Sequence, residues 1–368
     1  MLMRMPAVLN RLVGLLLGAL LWTFVSTDLL AAGLQAESAA LSDGPYVFWQ
    51  GKQAFVLSVR EGARHEDRLA TPFELDLPGL GSLRLDPAAP VPSTAEFSAP
   101  DSIAAVSDVH GNLGSLVTLL QAHHIIDAQR NWSFARNHLV IIGDVFDRGA
   151  QVTDVFWLLR QLEAQALSAG GRVHVLLGNH EIGALRGDER YLHPNYAFSQ
   201  KKVLGTDQKS LYGPDTEMGR WLRSRPVLLR IGSVLFAHGG PSPVMLPEER
   251  EIDAFNASFR KVIDLEGSQP LLGKDSPIWY RGLIPGKEQR RPDASPEEIE
   301  RILSAFGVRT IVVGHSTIRR GISTFHNGHV HGIDADLQSG GPGEIWLLRN
   351  DACFRGRSDG SSSPLAVF

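Results

Sequence analysis

The sequence predicts an α/β fold, and three features carry that prediction. From Asp101 onward, short apolar runs without polar alternation recur between stretches of helical spacing. That is the pattern of strands buried on both faces in sheets covered by helices. Five of these runs end in Gly beside Asp, His or Asn, and open α/β sheets gather their functional groups at such strand ends. Ahead of this region, residues 42 to 97 alternate and carry turn signals, which predicts a small β-hairpin region in front of the main body.

Taken in order, Tyr46 and Phe48, then Ala54 to Val59, flank Gln50-Gly51-Lys52 and predict a hairpin. Pro and Gly thicken from Leu77 to Pro100, which reads as loops leading into a second unit. Ile103–Val106 reads as a strand, Leu116 to Ile126 as a helix, and Leu139–Ile142 as a strand. Val152–Leu167 has helical spacing and is stopped by Gly170-Gly171; Val173–Leu177, Val234–Ala237 and Ile311–Val313 read as strands. The helix before the last of these is the best marked. Ser295 is its N-cap, Pro296 sits at the first helical position, Glu298 closes a capping box and Gly307 ends it. The Ser/Gly-rich tail over 353–368 is expected to be loose.

The 368 residues include 43% hydrophobic and 21% charged, an ordinary globular mixture. Lys and Arg total 36 against 40 Asp and Glu, a formal charge of −4, which excludes a protein that coats nucleic acid. Cys353 stands alone, so an intramolecular disulfide and a thiolate metal site are both excluded. Arg4 and Arg11, an apolar run from Leu12 to Val25, and then Ala31, Ala32 and Gly33 have the order of a secretory signal peptide, with cleavage after Gly33 or Ala36. Apolar residues resume after Asp28, so the alternative is an uncleaved anchor approaching the ~20 residues of a membrane span. The expected location is periplasmic or secreted, or membrane-anchored facing the periplasm. The expected layout is 1–36 signal or anchor, 37–98 β-rich extension, 99–352 main domain and 353–368 tail.

The strand ends carry the chemistry. They read Asp108-Val109-His110-Gly111-Asn112, Gly143-Asp144-Val145-Phe146-Asp147-Arg148-Gly149, Gly178-Asn179-His180-Glu181, His238-Gly239-Gly240 and Gly314-His315-Ser316. Hard oxygen and borderline imidazole donors without thiolate suit Mn, Fe or Zn. There are more donors than one tetrahedral zinc needs; a carboxylate shared by two cations would instead clamp both oxygens of an in-line phosphoryl displacement. Each piece alone has a plainer reading: Asp108 as a helix cap, a lone His as a hydrogen-bonded structural residue, Gly-Asn-His-Glu as a turn. His123, His124, His138 and His174 read as surface or packed residues, and His326, His329 and His331 surround an Asn327-Gly328 that a hairpin turn explains.

Together these motifs resemble the calcineurin-like metallophosphoesterases. Asp147-Arg148 and Glu181 resemble the phosphoprotein phosphatase branch; Gly187-Asp188-Glu189-Arg190-Tyr191 and Trp279-Tyr280-Arg281-Gly282 are similar to the Shewanella-like protein phosphatases. The resemblance spans roughly Asp101 to Arg349 and implies a central β-sandwich flanked by helices. It implies that Asp108, His110 and Asp144 bind one divalent metal and that Asp144, Asn179, His238 and His315 bind a second, with Mn the expected metal in vitro. It also implies His180, oriented by Asp147, as general acid and Arg148 and Arg281 as phosphate forks. The implied reaction is attack by metal-bound hydroxide on a phosphorylated protein or peptide, phosphotyrosine favoured. Many members of the wider superfamily carry a second His two residues beyond the Gly-His pair; here that position is Thr317. The competing readings are a dinucleoside polyphosphate hydrolase and an inactive scaffold of the same fold. The segment from Arg186 to Asp215, with Tyr191, Tyr196, Phe198, Tyr212 and Lys201-Lys202, reads either as a lid over the metals or as a structural insert.

Overall fold

The computed structural model describes residues 41–88, 94–246, 251–287 and 292–365. The expected signal or anchor over 1–36 lies outside the described residues. Among the described residues, no helix is long and apolar enough to cross a membrane.

The chain opens with β1 (Asp43–Gln50), β2 (Gln53–Arg60) and β3 (Ala63–Ala70), a three-stranded antiparallel sheet. The β1–β2 turn is Gly51-Lys52, and Gln50 pairs with Gln53. A second hairpin follows, β4 (Phe73–Leu77) with β5 (Gly81–Leu85). Loops were expected from Leu77 onward; instead, the alternating Leu83 and Leu85 turn inward beside Phe73, Leu75 and Leu77, and Pro78-Gly79-Leu80 makes the bend.

The main body then runs β6 (Glu96–Phe97), β7 (Ser102–Val106), α1 (Leu113–Ala122), β8 (His138–Ile142), α2 (Val152–Ser168), β9 (Arg172–Leu176) and α3 (Asn179–Leu185). Next come α4 (Pro194–Phe198), a π-helical turn (Ser199–Leu204), α5 (Gln208–Leu211), α6 (Glu217–Ser224), β10 (Leu228–Ile231), β11 (Val234–Ala237) and α7 (Ile252–Val262). After these lie α8 (Pro296–Phe306), β12 (Thr310–Val313), β13 (Ser323–Phe325), β14 (Val330–Gly332), β15 (Glu344–Arg349), β16 (Ala352–Arg357) and β17 (Ser362–Pro364). Helix α8 starts as its sequence requires: Ser295 Oγ accepts from the Glu298 N–H, and the Glu298 carboxylate accepts from the Ser295 N–H.

Two six-stranded sheets form the core. One is ordered β17-β16-β15-β7-β8-β9, with β7, β8 and β9 parallel; the other is β13-β14-β12-β11-β10-β6, with β11, β12 and β14 parallel. Their inner faces meet as a sandwich. Phe236 packs edge-on to Trp346 with ring centres 5.8 Å apart, and Phe97 lies 4.7 Å from the His174 ring and 5.7 Å from that of His138. Those two histidines are packing residues, as expected. His326, His329 and His331 sit in the β13–β14 hairpin and bond the carbonyls of Leu283, Arg309 and Gly328.

The expected loose tail is a correction. Cys353 to Arg357 belong to β16, which pairs with β15, and β17 pairs with β16 in turn. The Ser and Gly residues there make the turn around Gly360 (φ +83°), a position that suits glycine, so their composition marks a reversal within the sheet.

Candidate active site

Each functional side chain stands just beyond the carboxyl end of a strand: Asp108 and His110 after β7, Asp144, Asp147 and Arg148 after β8, Asn179 and His180 after β9, His238 after β11, His315 after β12. Three of these strands belong to one sheet and two to the other. The backbone bends sharply there. Asp108, His110, Asp144, Asp147, Arg148 and His315 all have φ between +45° and +66°, a region that Asp and His enter more readily than most residues and that gathers at functional sites. Gly178 and Gly314 are required by closeness: a Cβ on the first would strike the Asp144 carboxylate, and on the second the Ser107 hydroxyl.

The imidazoles are held from behind. His110 Nδ1–H donates to the Phe146 carbonyl (2.7 Å) and His238 Nδ1–H to the Ile142 carbonyl (2.8 Å). A carbonyl can only accept, so Nδ1 carries a proton and each Nε2 faces inward, the orientation of a metal ligand. The two Nε2 atoms lie 3.7 and 3.2 Å from Asp144 Oδ2. His238 Nε2 is also 3.2 Å from Asn179 Oδ1. His315 Nε2 is buried with no hydrogen-bond partner among the described residues. Asp108 Oδ2 accepts from the His315 N–H (2.9 Å) and the Ser107 hydroxyl (2.5 Å).

Two groups able to grip a metal ion result, His110–Asp144–His180 and Asp144–His238–His315, with Asp144 common to both. Asp108, expected on the first metal, is in neither group, its Oδ2 being taken by the His315 N–H, and the His180 Nε2 in the first group faces Arg148. The electrostatics call for cations. Burial pushes Asp108 well up, with Asp334 and Asp144 adding to it. Burial opposes the charge on Asp144, yet His238, His180 and His110 hold its pKa well below the usual range. Burial also opposes a charged His238, but the Asp144 and Asp108 carboxylates lift it to about 10. Burial depresses His110 to about 4 and takes His315 well below its ordinary value. A buried carboxylate cluster around inward-facing imidazole nitrogens, one of them orphaned, fits divalent cations.

His180 differs from the other imidazoles. Its Nδ1 is 2.7 Å from Asp147 Oδ2, and its Nε2 accepts from Arg148 Nη2 at 3.1 Å. Arg281 Nη1 donates to the His315 carbonyl at 2.5 Å. All ten residues singled out in the sequence therefore come together at one edge.

Three residues of the site had been given no catalytic or metal-binding role from the sequence. Glu181 is fully buried and accepts four backbone N–H bonds, from Asp144 (2.9 Å), Val145 (2.7 Å), Phe146 (3.1 Å) and Gly178 (2.7 Å). It ties the Asp144 and Asn179 loops to each other; the sequence had marked it only by resemblance to the phosphoprotein phosphatase branch. Tyr191 stacks beside His180 at 5.0 Å, under the Arg148 guanidinium, and Trp279 packs edge-on to His315 at 5.5 Å. In the 186–215 segment Tyr191 lies beside His180, whereas Tyr196 and Tyr212 are buried. At the position where many superfamily members have a second histidine, Thr317 Oγ1 donates to Asp334 (2.7 Å).

The chain belongs to the calcineurin-like phosphoesterase family, whose profile matches residues 102–318. It is a phosphatase of that family, which uses a dimetal centre. A cold-active protein-tyrosine phosphatase of a psychrophilic Shewanella species is 33% identical with a TM-score of 0.80, covering 88% of this chain and 99% of that one. Shewanella-like protein phosphatase 1 of Plasmodium berghei is 27% identical over 64% of this chain and 67% of its own. Shewanella-like protein phosphatase 2 of Arabidopsis thaliana is 25% identical over 70% and 78%.

Proposed function

We propose that the chain hydrolyses phosphoprotein monoesters with two divalent cations and prefers phosphotyrosine to phosphoserine or phosphothreonine. One observation carries the preference. A cleft of about 270 Å³ opens beside Asn179 and His180, and its walls include Tyr191, Trp279, Ile182 and Leu272. Tyr191 and Trp279 are exposed by 46% and 39%, large apolar surfaces left facing solvent on either side of the metal ligands. Such a slot receives a phenyl ring better than a short alkyl ester. The similarity to a protein named as a tyrosine phosphatase supports the same reading.

In this reading Asp108, His110 and Asp144 would hold one cation and Asp144, Asn179, His238 and His315 the other, as Mn, Fe or Zn. The pair, when bound, supplies Lewis acidity that makes water a nucleophile near neutral pH and offsets phosphoryl charge. Arg148 and Arg281 fork onto phosphate oxygens. Once a phosphate oxygen takes over the Arg148 donors, His180 Nε2 is released to carry a proton, its Nδ1–H fixed by Asp147. As the P–O bond to the substrate breaks and one to the water oxygen forms, that proton passes to the departing phenolate. Residues 1–36 would direct the protein to the periplasm or hold it at the membrane facing that side; N-terminal sequencing of periplasmic and membrane fractions distinguishes the two.

The test compares kcat/KM of the Mn-loaded protein on phosphotyrosine and phosphothreonine peptides of one sequence and on diadenosine tetraphosphate. Phosphotyrosine should win, and Tyr191→Ala or Trp279→Ala should each erode that advantage by roughly two- to tenfold. Phosphothreonine turned over as fast would remove the ring preference. Turnover of the dinucleotide alone would move the function to nucleotide hydrolysis.

A further inference from the structure

A second groove is lined in part by the segment that follows Trp279 and Arg281. Its volume is about 830 Å³, and Ile284, Lys287, Thr317, Arg319, Arg320 and Phe325 are among its walls. Its wall is linked to the site along the chain: Thr317 is two residues beyond His315, and Ile284 is three beyond Arg281, whose guanidinium bonds the His315 carbonyl. Thr317 is fixed at the junction. Its hydroxyl is held by Asp334, Gln338 Nε2 lies 3.4 Å from that hydroxyl, and its carbonyl accepts from Lys287 Nζ at 2.6 Å. The position that often bears a further histidine in the wider superfamily thus forms a wall of this groove.

The groove departs from the charge of the molecule. The chain carries −4 overall, yet the groove lining has three cations, Lys287, Arg319 and Arg320, against one carboxylate, Asp336. Asp336 is turned aside onto the Ser339 hydroxyl (2.7 Å). The Asp334 carboxylate behind the wall is occupied by Thr317 Oγ1 and by the Asp336 N–H. Among the described residues, no carboxylate lies within ion-pair distance of Arg319, Arg320 or Lys287; Arg320 bonds only the Ser323 hydroxyl and lies over the Phe325 ring at 5.6 Å. Arg319 and Arg320 are exposed, and Lys287 is half-buried with its ammonium at the groove wall. Exposed arginine forks without a carboxylate partner among the described residues, beside an apolar floor of Ile284 and Phe325, suit extended chain bearing carboxylates.

We infer that this groove binds the acidic residues flanking the phosphorylated side chain of a protein substrate, so that the enzyme selects phosphotyrosines in acidic sequence. The inference rests on the phosphoprotein reading above and adds the sequence class of the substrate. Three probes test it on the Mn-loaded protein: a phosphotyrosine peptide with Glu and Asp on both sides, the same peptide with Gln and Asn in their place, and p-nitrophenyl phosphate, which has no flanks. The acidic peptide should have the higher kcat/KM by roughly three- to tenfold, mostly through KM, as expected for two or three solvent-exposed charge pairs. The preference should shrink as salt rises from about 0.05 to about 0.5 M. Arg319→Glu with Arg320→Glu should abolish or invert it while p-nitrophenyl phosphate turnover stays within about twofold of wild type.

Equal turnover of the two peptides by the wild type would overturn the groove assignment alone. So would a double variant that keeps the preference, or one that slows all three substrates equally. Turnover of p-nitrophenyl phosphate with neither peptide hydrolysed would overturn the phosphoprotein reading and this inference with it.

Discussion

Asp144 and His180 are 36 residues apart and joined by one hydrogen bond, from the His180 N–H to Asp144 Oδ1 at 3.1 Å, yet the duties proposed for them are separable. Asp144 faces the inner nitrogens of His110 and His238, so Asp144→Asn should lose bound metal and activity together, measured by metal analysis of the purified protein. His180 is held by Asp147 and Arg148, so His180→Ala should keep its metals. It should lose roughly 10²- to 10⁴-fold on an alkyl phosphate, where protonation of the leaving oxygen matters, and far less on p-nitrophenyl phosphate. Full activity of His180→Ala on the alkyl ester would refute a general-acid role. Glu181 acts at the same scale without facing the substrate. Its carboxylate offsets four backbone donors in a buried place, and Glu181→Gln puts an amide hydrogen against donors there. The expected loss is about 3–5 kcal/mol of stability, read from a denaturant midpoint, as for a broken buried ionic group.

At the scale of elements, the N-terminal sheet braces the site. Asp43 on β1 is buried and accepts from Tyr46 Oη (2.8 Å), from Thr153 Oγ1 at the start of α2 and, by a short bond, from Ser199 in the π-helical turn. Tyr196 Oη accepts from the Thr153 N–H, and Tyr212 packs edge-on to Phe146, whose carbonyl holds His110. On the same strand, Trp49 Nε1 donates to Glu217, which is paired with Arg160 at 2.7 Å. Asp43→Ala leaves three buried hydroxyls short of a partner and should cost about 2–4 kcal/mol. Tyr191 lies just ahead in the same segment, so the variant should also raise KM for phosphotyrosine peptides more than for p-nitrophenyl phosphate. An unchanged midpoint would show that the sheet is not a brace.

The β13–β14 hairpin carries a pH dependence of its own. His331 is buried, with Trp346 Nε1 donating to its Nδ1 (2.7 Å) and its Nε2 facing the Gly328 carbonyl (3.1 Å). Burial lowers its pKa to about 4, the Gly328 bond opposing. An unfolded histidine takes up its proton below about 6.5, so between 6.5 and 4 the unfolded chain binds the extra proton. The stability His331 contributes is therefore complete above that window and is lost as pH falls through it. His331→Gln can keep both hydrogen bonds without titrating. Wild-type stability should fall more steeply than the variant's between pH 7 and 4.5; parallel curves would contradict the assignment.

For the whole molecule, the proposed metal ligands lie at strand ends of both sheets of the sandwich, so bound cations would join the two sheets. Chelation should lower the melting temperature by several degrees, with restoration by Mn²⁺, because any ligand of the folded state alone stabilises it by mass action. No shift on chelation would mean that the ligand loops do not close on metal.

Much of this was legible in the sequence, and the physical reason is local. The strands buried on both faces, the capping box of α8, the Gly51-Lys52 turn and the five Gly-flanked strand ends are each written within a few consecutive residues. Backbone preference and strand burial act at that range, so the donor set and the fold class needed no tertiary information. Composition misled where pairing partners lay elsewhere: Ser and Gly after Arg355 looked loose, yet β15 supplies the edge on which β16 builds. The sequence by itself determined the fold class and the set of candidate metal donors with their chemistry. Only the tertiary structure decided that Glu181 clasps two ligand loops, that Tyr191 and Trp279 flank one cleft, and that Lys287 joins Arg319 and Arg320 in another. Those relations depend on contacts between residues far apart in the chain, which burial and hydrogen bonding select once the two sheets have closed.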